Sequence, residues 1–447
     1  MSDQMLILVA LAGIFLLLFL VIRTKLHAFV ALLLVSLIVG ILAGMPLNDV
    51  VTSMQNGMGG TLGFVAVVVG LGAMFGQMLE VSGGAERLAQ TLVKKFGEDK
   101  SQWALGLTGF LVAIPVFFDV GFIILVPIVY GLAKKTGKSL LYYGIPLLAG
   151  LAVTHSFIPP TPGPIAVADL IGAELGWVIL FGTLAGIPAM IIAGPIFAKY
   201  ISKKIHVVVP DYMNLEEIEY DKDLPSFKLI ASLIMIPLVL ILLNTVSGVL
   251  LEEGNTVRQI LTFLGHPFVA LTIATILTFV LLGTRRGYSR QEVQDIATKA
   301  LEPAGIIILV TGAGGVFKQV LIDSGVGQVL GDMMAGSSLP PILLAFLIAA
   351  VVRVAQGSAT VSMVTAAGLM APLISILGLE GPVLGLIVIA IASGATVLSH
   401  VNDSGFWLVG RYFGLSVKDT LKTWTVMETI IGLVGVSVAL ILGVFIG

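Results

Sequence analysis

The chain has 447 residues, of which 57% are hydrophobic and 11% are charged, and its mean hydropathy is +1.07. Because soluble domains carry about 25% charged residues, this composition predicts an all-α protein that crosses a lipid bilayer many times. A net charge of −2 argues against a nucleic-acid partner. The lack of cysteine excludes thiolate catalysis and Cys-type metal sites, and the five histidines have no metal-ligand spacing, so neither a metal nor a cofactor is expected.

The first half of the chain predicts five full spans and one re-entrant hairpin, with about 20 apolar residues per span and Lys or Arg marking the cytoplasmic side. The spans are predicted at 4–22, 28–44, 61–80, 140–157 and 177–198, with an outer loop at 45–60. The apolar stretch from Lys100 to Lys134 has cytoplasmic ends but is too short for two crossings. It therefore predicts a hairpin whose tip lies near Asp119.

A proline-rich break follows the fourth span. Residues 154–164 contain four prolines, which exclude a continuous helix. Irregular backbone at membrane depth is tolerated where it is buried in protein or lines a cavity. The sequence therefore predicts a broken helix here, continued by a half-helix at 165–174.

A charged stretch at 203–228 divides the chain into a first unit, 1–202, and a second, 229–447, and predicts a cytoplasmic linker. A shift of 242 positions supports two repeats, since it aligns six identical residues within twelve positions. They are Gly72, Phe75, Gln77, Leu79, Ser82 and Gly83 over Gly314, Phe317, Gln319, Leu321, Ser324 and Gly325.

The second half predicts the same elements with opposite orientation. Spans are predicted at 228–251, 262–283, 303–322, 382–398 and 424–446, with a hairpin at 341–371 and a break at 399–405. The whole chain would then have about ten full spans and two re-entrant hairpins in two inverted repeats. Secondary transporters have this architecture, and they bind substrate near the midplane between the repeats.

The tip of the second hairpin is the strongest candidate for a binding site. Arg353, Gln356, Gly357, Ser358 and Thr360 interrupt an apolar run, and charged groups at membrane depth normally face a protein interior or a wet cavity. The alternative is that Arg353 extends to the headgroups from near a helix end.

Three long strings resemble the gluconate permease family of proton symporters. They are His-Ser-Phe-Ile-Pro-Pro-Thr-Pro-Gly-Pro at 155–164, Arg-Val-Ala-Gln-Gly-Ser-Ala-Thr-Val at 353–361 and Ser-His-Val-Asn-Asp-Ser-Gly-Phe-Trp at 399–407. The resemblance covers essentially the whole chain. It implies a symporter of the bacterial inner membrane that imports gluconate, or a related sugar acid, with a proton. Two positions depart from the family pattern: Thr161 stands where many members carry histidine, and Asp119 where many carry glutamate.

The resemblance implies a small hydroxylated monocarboxylate as substrate, and the residues then take roles. Arg353 offers a planar donor fork to a carboxylate, and Ser358 and Thr360 would lie at a helix N-terminus that favours an anion. The remaining candidates for substrate contact are Gln356, Gly357, Thr161, Gly163, Asn402 and Ser404. Helix capping at a broken element is the alternative for the Ser, Thr and Asn side chains.

Proton coupling needs a titratable group that the transport cycle exposes and buries. Asp119 and Asp403 are the first candidates, because each carboxyl lies at a break in an apolar segment. Asp403 could instead cap the following half-helix. His155 and His400 also lie at breaks, where they could either titrate or brace the backbone.

Other functions remain open from the sequence. No nucleophile with a neighbouring base, and no pair of metal-ligating histidines at helical spacing, indicates an enzyme. A channel could also be built from hairpins and broken helices. A carrier driven by Na⁺, or one that moves another small organic anion or D-serine, is the nearer alternative. A homodimer is the usual assembly for such folds.

Overall fold

The computed structural model describes residues 3–97, 100–210, 224–326 and 339–446, and the regular structure within these ranges is helical throughout. The first unit contains α1 (Asp3–Ile22), α2 (Ala28–Leu42), α3 (Leu47–Val81), α4 (Gly84–Phe96), α5 (Ser101–Val112), α6 (Phe118–Thr136), α7 (Leu140–Phe157), α8 (Pro162–Ile171), α9 (Leu175–Ile191) and α10 (Phe197–Lys204). The second contains α11 (Phe227–Leu250), α12 (Thr256–Leu264), α13 (Pro267–Thr278), α14 (Arg290–Asp323), α15 (Pro341–Gln356), α16 (Ala359–Ile376), α17 (Pro382–Gly394), α18 (Ser404–Phe413), α19 (Val417–Thr420) and α20 (Val426–Ile446).

Many of these helices have the length and composition of membrane spans. Within the described part of the chain, eight helical segments are long and apolar enough to cross a bilayer, and three further apolar helices are shorter. The eight are 47–81, 140–171, 175–204, 227–250, 267–286, 290–323, 359–376 and 417–446. The predicted all-α polytopic membrane fold is confirmed.

The predicted outer loop at 45–60 is wrong, because α3 begins at Leu47 and continues for 35 residues. Such a helix is about 52 Å long, more than the hydrocarbon thickness of about 30 Å. Its glycine-rich first half packs against α14: a Cβ atom added to Gly57 would lie 2.5 Å from the carbonyl oxygen of Gly315. The low hydropathy of this stretch therefore reflects close helix contact.

Both predicted hairpins consist of two helices joined by a short turn. The first turn, 113–117, joins α5 to α6, and Asp119 lies in the first turn of α6. The second turn joins α15 to α16 at Gly357, whose φ of +87° is the left-handed conformation that glycine tolerates. A Cβ on Gly357 would lie 2.2 Å from the backbone oxygen of Asn402, so this tip contacts the second break directly.

Both predicted breaks are present, although their boundaries differ from the prediction. The first half-helix, α8, covers Pro162–Ile171 and not 165–174, because proline is well placed in a first helical turn and Gly172 ends the helix with a φ of +76°. The second break begins earlier than 399, since α17 ends at Gly394, and α18 begins at Ser404.

The offset of 242 residues also relates the helix boundaries of the two halves. Shifted by this amount, α3 falls on 289–323, where α14 covers Arg290–Asp323, and α8 falls on 404–413, the range of α18. The centre of the predicted linker, 211–223, lies outside the described residues.

Candidate functional site

A cavity of about 680 Å³ lies between the tips of the two hairpins and the second broken helix. Parts of α3, α7, α14 and the last helical segment, 417–446, complete its wall. Ten of the thirteen candidate residues from the sequence line this cavity. They are Asp119, His155, Arg353, Gln356, Gly357, Ser358, Thr360, Asn402, Asp403 and Ser404.

Three helices begin at the cavity: α6 at Phe118, α16 at Ala359 and α18 at Ser404. The first N–H groups of a helix have no acceptor within it, and the helix dipole places partial positive charge there. At α16, Ser358 is the N-cap, and its Oγ accepts a hydrogen bond of 3.4 Å from the Val361 N–H. Asp119 and Asp403 lie at the N-termini of α6 and α18, so the N-terminus of α16 is the one that is open to a substrate anion.

A buried ion pair lies behind the tip of the second hairpin. The Arg353 side chain is only 2% exposed, and its Nη2 donates to Asp403 Oδ2 at 2.6 Å. Its Nη1 donates to the Gly357 carbonyl oxygen in the turn. Arg353 therefore does not extend to the headgroups. Its donor fork, which the sequence assigned to the substrate, contacts protein groups in this conformation.

Asp403 connects this ion pair to the second break. Its carboxylate accepts hydrogen bonds from Ser399 Oγ at 2.5 Å and from the Gly405 N–H at 3.1 Å. The second bond caps α18, so the capping role that the sequence left open is present together with the ion pair. Trp424 Nε1 donates to Ser399 Oγ at 2.6 Å, which extends the network to the last helical segment.

Two further side chains tie the second break to α15. Asn402 Nδ2 donates to the Val354 carbonyl oxygen at 3.0 Å, and His400 Nε2 lies 3.0 Å from the same oxygen. Asn402 also lines the cavity, whereas His400 does not. His400 thus has the bracing position that the sequence left as an alternative to proton transfer.

Comparison with known proteins identifies the family. The model of the GntP family permeases matches residues 5–445. The chain belongs to the GntP permease family. It is 45% identical over 441 residues to the "Low-affinity gluconate transporter" of Escherichia coli (strain K12), covering 99% of each chain. It is also 45% identical over 446 residues to the "Inner membrane permease YgbN" of the same strain, covering 97% of this chain and 98% of the relative.

The solved YdaH transporter of Alcanivorax borkumensis has a similar fold, with a TM-score of 0.66 at 15% identity over 94% of this chain and 98% of that one. The family and the helical spans make this protein a multi-pass permease of the plasma membrane and not an enzyme.

Two predicted contact residues of this GntP family permease lie outside the cavity. Thr161 is 4% exposed, and its hydroxyl donates to the Ile158 carbonyl oxygen at 2.6 Å. Gly163 packs against α16, since a Cβ there would lie 2.6 Å from Met363 Sδ. A separate void of about 10 Å³, room for about one water molecule, lies beside Thr161.

The remaining proton-coupling candidates face the cavity from the first half of the permease. Asp119 is exposed there, and the ring of His155 packs edge-on against Phe117 with the ring centroids 6.3 Å apart. His155 Nδ1 is buried and has no hydrogen-bond partner. Both residues remain predictions as proton carriers.

The cavity wall also contains polar residues that the sequence analysis did not single out: Gln77, Ser156, Trp424 and Glu428. The sequence did indicate Glu428 as a functional candidate. It is the single charged residue within the apolar helix α20, and ionisable residues inside a membrane are usually functional. Gln77 had only a weak signal, its place in the repeat alignment. Ser156 lies within the predicted first break and Trp424 at the start of the last predicted span, but neither residue type indicated a place in the cavity wall.

Proposed function

We propose that this permease imports gluconate or a closely related sugar acid together with a proton. The observation that carries the proposal is the anion-favouring cavity at the junction of both hairpin tips and the second break. The 45% identical relative from Escherichia coli is a gluconate transporter, which supports a sugar acid as the substrate class.

The substrate carboxylate would bind at the N-terminus of α16. Ser358 and Thr360 line the cavity there, next to the free N–H groups of the first helical turn. The hydroxyl groups of the substrate would contact Gln356, Asn402 and Ser404, which line the same cavity. Arg353 would act from behind this site, since it holds the Gly357 turn and Asp403 in place.

The two units, 1–202 and 229–447, would be inverted repeats joined by the linker 203–228. The equivalent helix boundaries at an offset of 242 residues support the repeat. In secondary transporters, such repeats rearrange around a central site so that it faces each side of the membrane in turn. We propose this alternating access for the present protein, and a homodimer as its assembly.

Uptake of labelled gluconate into proteoliposomes that contain the purified protein tests the proposal. An inward proton gradient, an inward Na⁺ gradient and no gradient are compared, with unlabelled sugar acids and D-serine as competitors. We expect accumulation above equilibrium only with the proton gradient, and competition by gluconate.

Other outcomes would distinguish the alternatives. Accumulation driven by Na⁺ would show that Na⁺ is the coupling ion. Competition by D-serine alone, or by another anion alone, would show that this competitor is the substrate. Fluxes that do not saturate and never exceed equilibrium would indicate a channel and contradict the proposal.

A further inference from the structure

Glu428 is a buried carboxyl group that lines the cavity and has no role in the proposed substrate contacts. It lies in the first turn of α20 and is 4% exposed. Its Oε1 atom is buried and has no hydrogen-bond partner. A buried carboxylate without compensating hydrogen bonds is strongly unfavourable, so this environment favours the neutral, protonated form.

The charges around Glu428 lead to the same conclusion. The charged and titratable groups that face the cavity from elements packed against α20 are Arg353 on α15, Asp403 after α17 and His155 on α7. Arg353 and Asp403 form an ion pair at 2.6 Å, so the one positive charge among these groups is balanced before Glu428 is counted. Asp119 adds a further acidic group across the cavity.

A bound substrate anion would add negative charge to the cavity. With the substrate carboxylate in the cavity, an ionised Glu428 would add another uncompensated negative charge close to it. Like charges in a poorly solvated site disfavour each other, so substrate and proton should bind together. When the anion leaves, Glu428 can release its proton with less electrostatic cost.

We propose that Glu428 carries the proton that crosses the membrane with the substrate. The inference rests on the proposed proton symport. The proton moves from water onto the Glu428 carboxylate when the cavity is loaded from one side, and it returns to water on the other side after the substrate has left. Asp403 remains the partner of Arg353 throughout.

The test compares Glu428→Gln with wild type in proteoliposomes. Exchange of labelled for unlabelled gluconate needs no net proton movement and should stay within about threefold of wild type. Accumulation driven by the proton gradient should fall at least tenfold, and the KM for exchange should lose its dependence on pH. Glu380→Gln, a change of an exposed carboxylate between α16 and α17, should preserve all three properties.

The outcomes separate this inference from the proposed function. If wild type itself does not accumulate gluconate with a proton gradient, the proposed symport is wrong. If wild type accumulates and Glu428→Gln does so equally well, the role of Glu428 is wrong. Loss of accumulation in Asp119→Asn but not in Glu428→Gln would assign the proton to Asp119 instead.

A second measurement on the wild-type protein covers the case in which Glu428→Gln does not fold. A hydrophobic carbodiimide modifies carboxyl groups that are protonated in apolar surroundings, and mass spectrometry locates the adduct. We expect an adduct at Glu428 at neutral pH, together with loss of accumulation in proportion to labelling. An unmodified Glu428 in a protein labelled and inactivated elsewhere would overturn the inference.

Discussion

Replacement of Asp403 by asparagine should destabilise the protein, because it leaves the buried Arg353 without its counter-ion. The substitution preserves the shape of the side chain and removes its charge. Arg353 Nη2 at 2.6 Å and Ser399 Oγ at 2.5 Å both donate to Oδ2, while the Gly405 N–H donates to Oδ1; the single amide oxygen of asparagine is uncharged and cannot accept at both positions. The same perturbation reaches the Gly357 turn, which Arg353 contacts through its other terminal nitrogen.

The expected magnitude follows from burial. Removing one partner of a buried ion pair costs about 3–5 kcal/mol, and a single hydrogen bond to a charged group contributes about 1.5–3 kcal/mol. The Arg353 side chain is 2% exposed and that of Asp403 is 12% exposed, so solvent screens the pair only slightly. We expect Asp403→Asn to lower the free energy of unfolding by about 3 kcal/mol, the lower end of that range.

A double-mutant cycle measures this interaction. The variants Asp403→Asn, Arg353→Gln and the combined variant are unfolded reversibly in mixed micelles, with Glu380→Gln as the exposed control. The double variant should lose at least about 2 kcal/mol less than the sum of the single variants, because it leaves no unpaired charge. Additive losses, or single variants within about 0.5 kcal/mol of wild type, would refute the ion pair as a stabilising element.

Three further tests, with five variants, examine the geometry of the site. Gly357→Ala should abolish transport, because the backbone there is left-handed and the added Cβ would lie 2.2 Å from the Asn402 backbone oxygen. Gly248→Ala, which has open space around it, should transport normally in the same uptake assay. Ser358→Ala removes a helix cap and a proposed carboxylate contact, and it should raise the KM for gluconate about tenfold, equivalent to about 1.4 kcal/mol. Because the chain has no cysteine, Ser358→Cys and Thr161→Cys can be labelled singly; a polar thiol reagent should modify the exposed Ser358→Cys quickly and the buried Thr161→Cys at least tenfold more slowly in the conformation described.

The tip of the second hairpin could be predicted because its polarity conflicts with its surroundings. An arginine followed by Gln-Gly-Ser inside an apolar run has few explanations in a membrane, and the turn lies at the predicted position. The same reasoning could have selected Glu428. One carboxylate in 21 otherwise uncharged residues leaves the span prediction unchanged, however, so hydropathy alone gave it no emphasis.

The first half of α3 could not be predicted for a different reason. Residues 47–60 contain glycine and polar side chains, which in an isolated segment are typical of a loop. In the folded protein, that composition permits contact with α14: Gly57 lies against the Gly315 backbone, and the hydroxyl of Ser53 donates to Asp323 Oδ2 at 2.6 Å. The partner that makes the helix favourable lies about 260 residues away in sequence and is invisible to a local window.

The position of Thr161 bears on the transport cycle. At the offset of 242 residues, Thr161 corresponds to Asp403 and Gly163 to Gly405, so the first break is the counterpart of the second in the proposed repeat. The second break and its hairpin tip line the cavity of about 680 Å³, whereas the first break and Pro115 of its hairpin enclose a void of about 10 Å³. In the proposed repeat, the two equivalent breaks therefore differ in the space beside them: the second borders a cavity, and the first borders a void for about one water molecule. If the two proposed repeats exchanged these environments, the void beside Thr161 would open as the present cavity closed, which is the motion that the proposed alternating access requires.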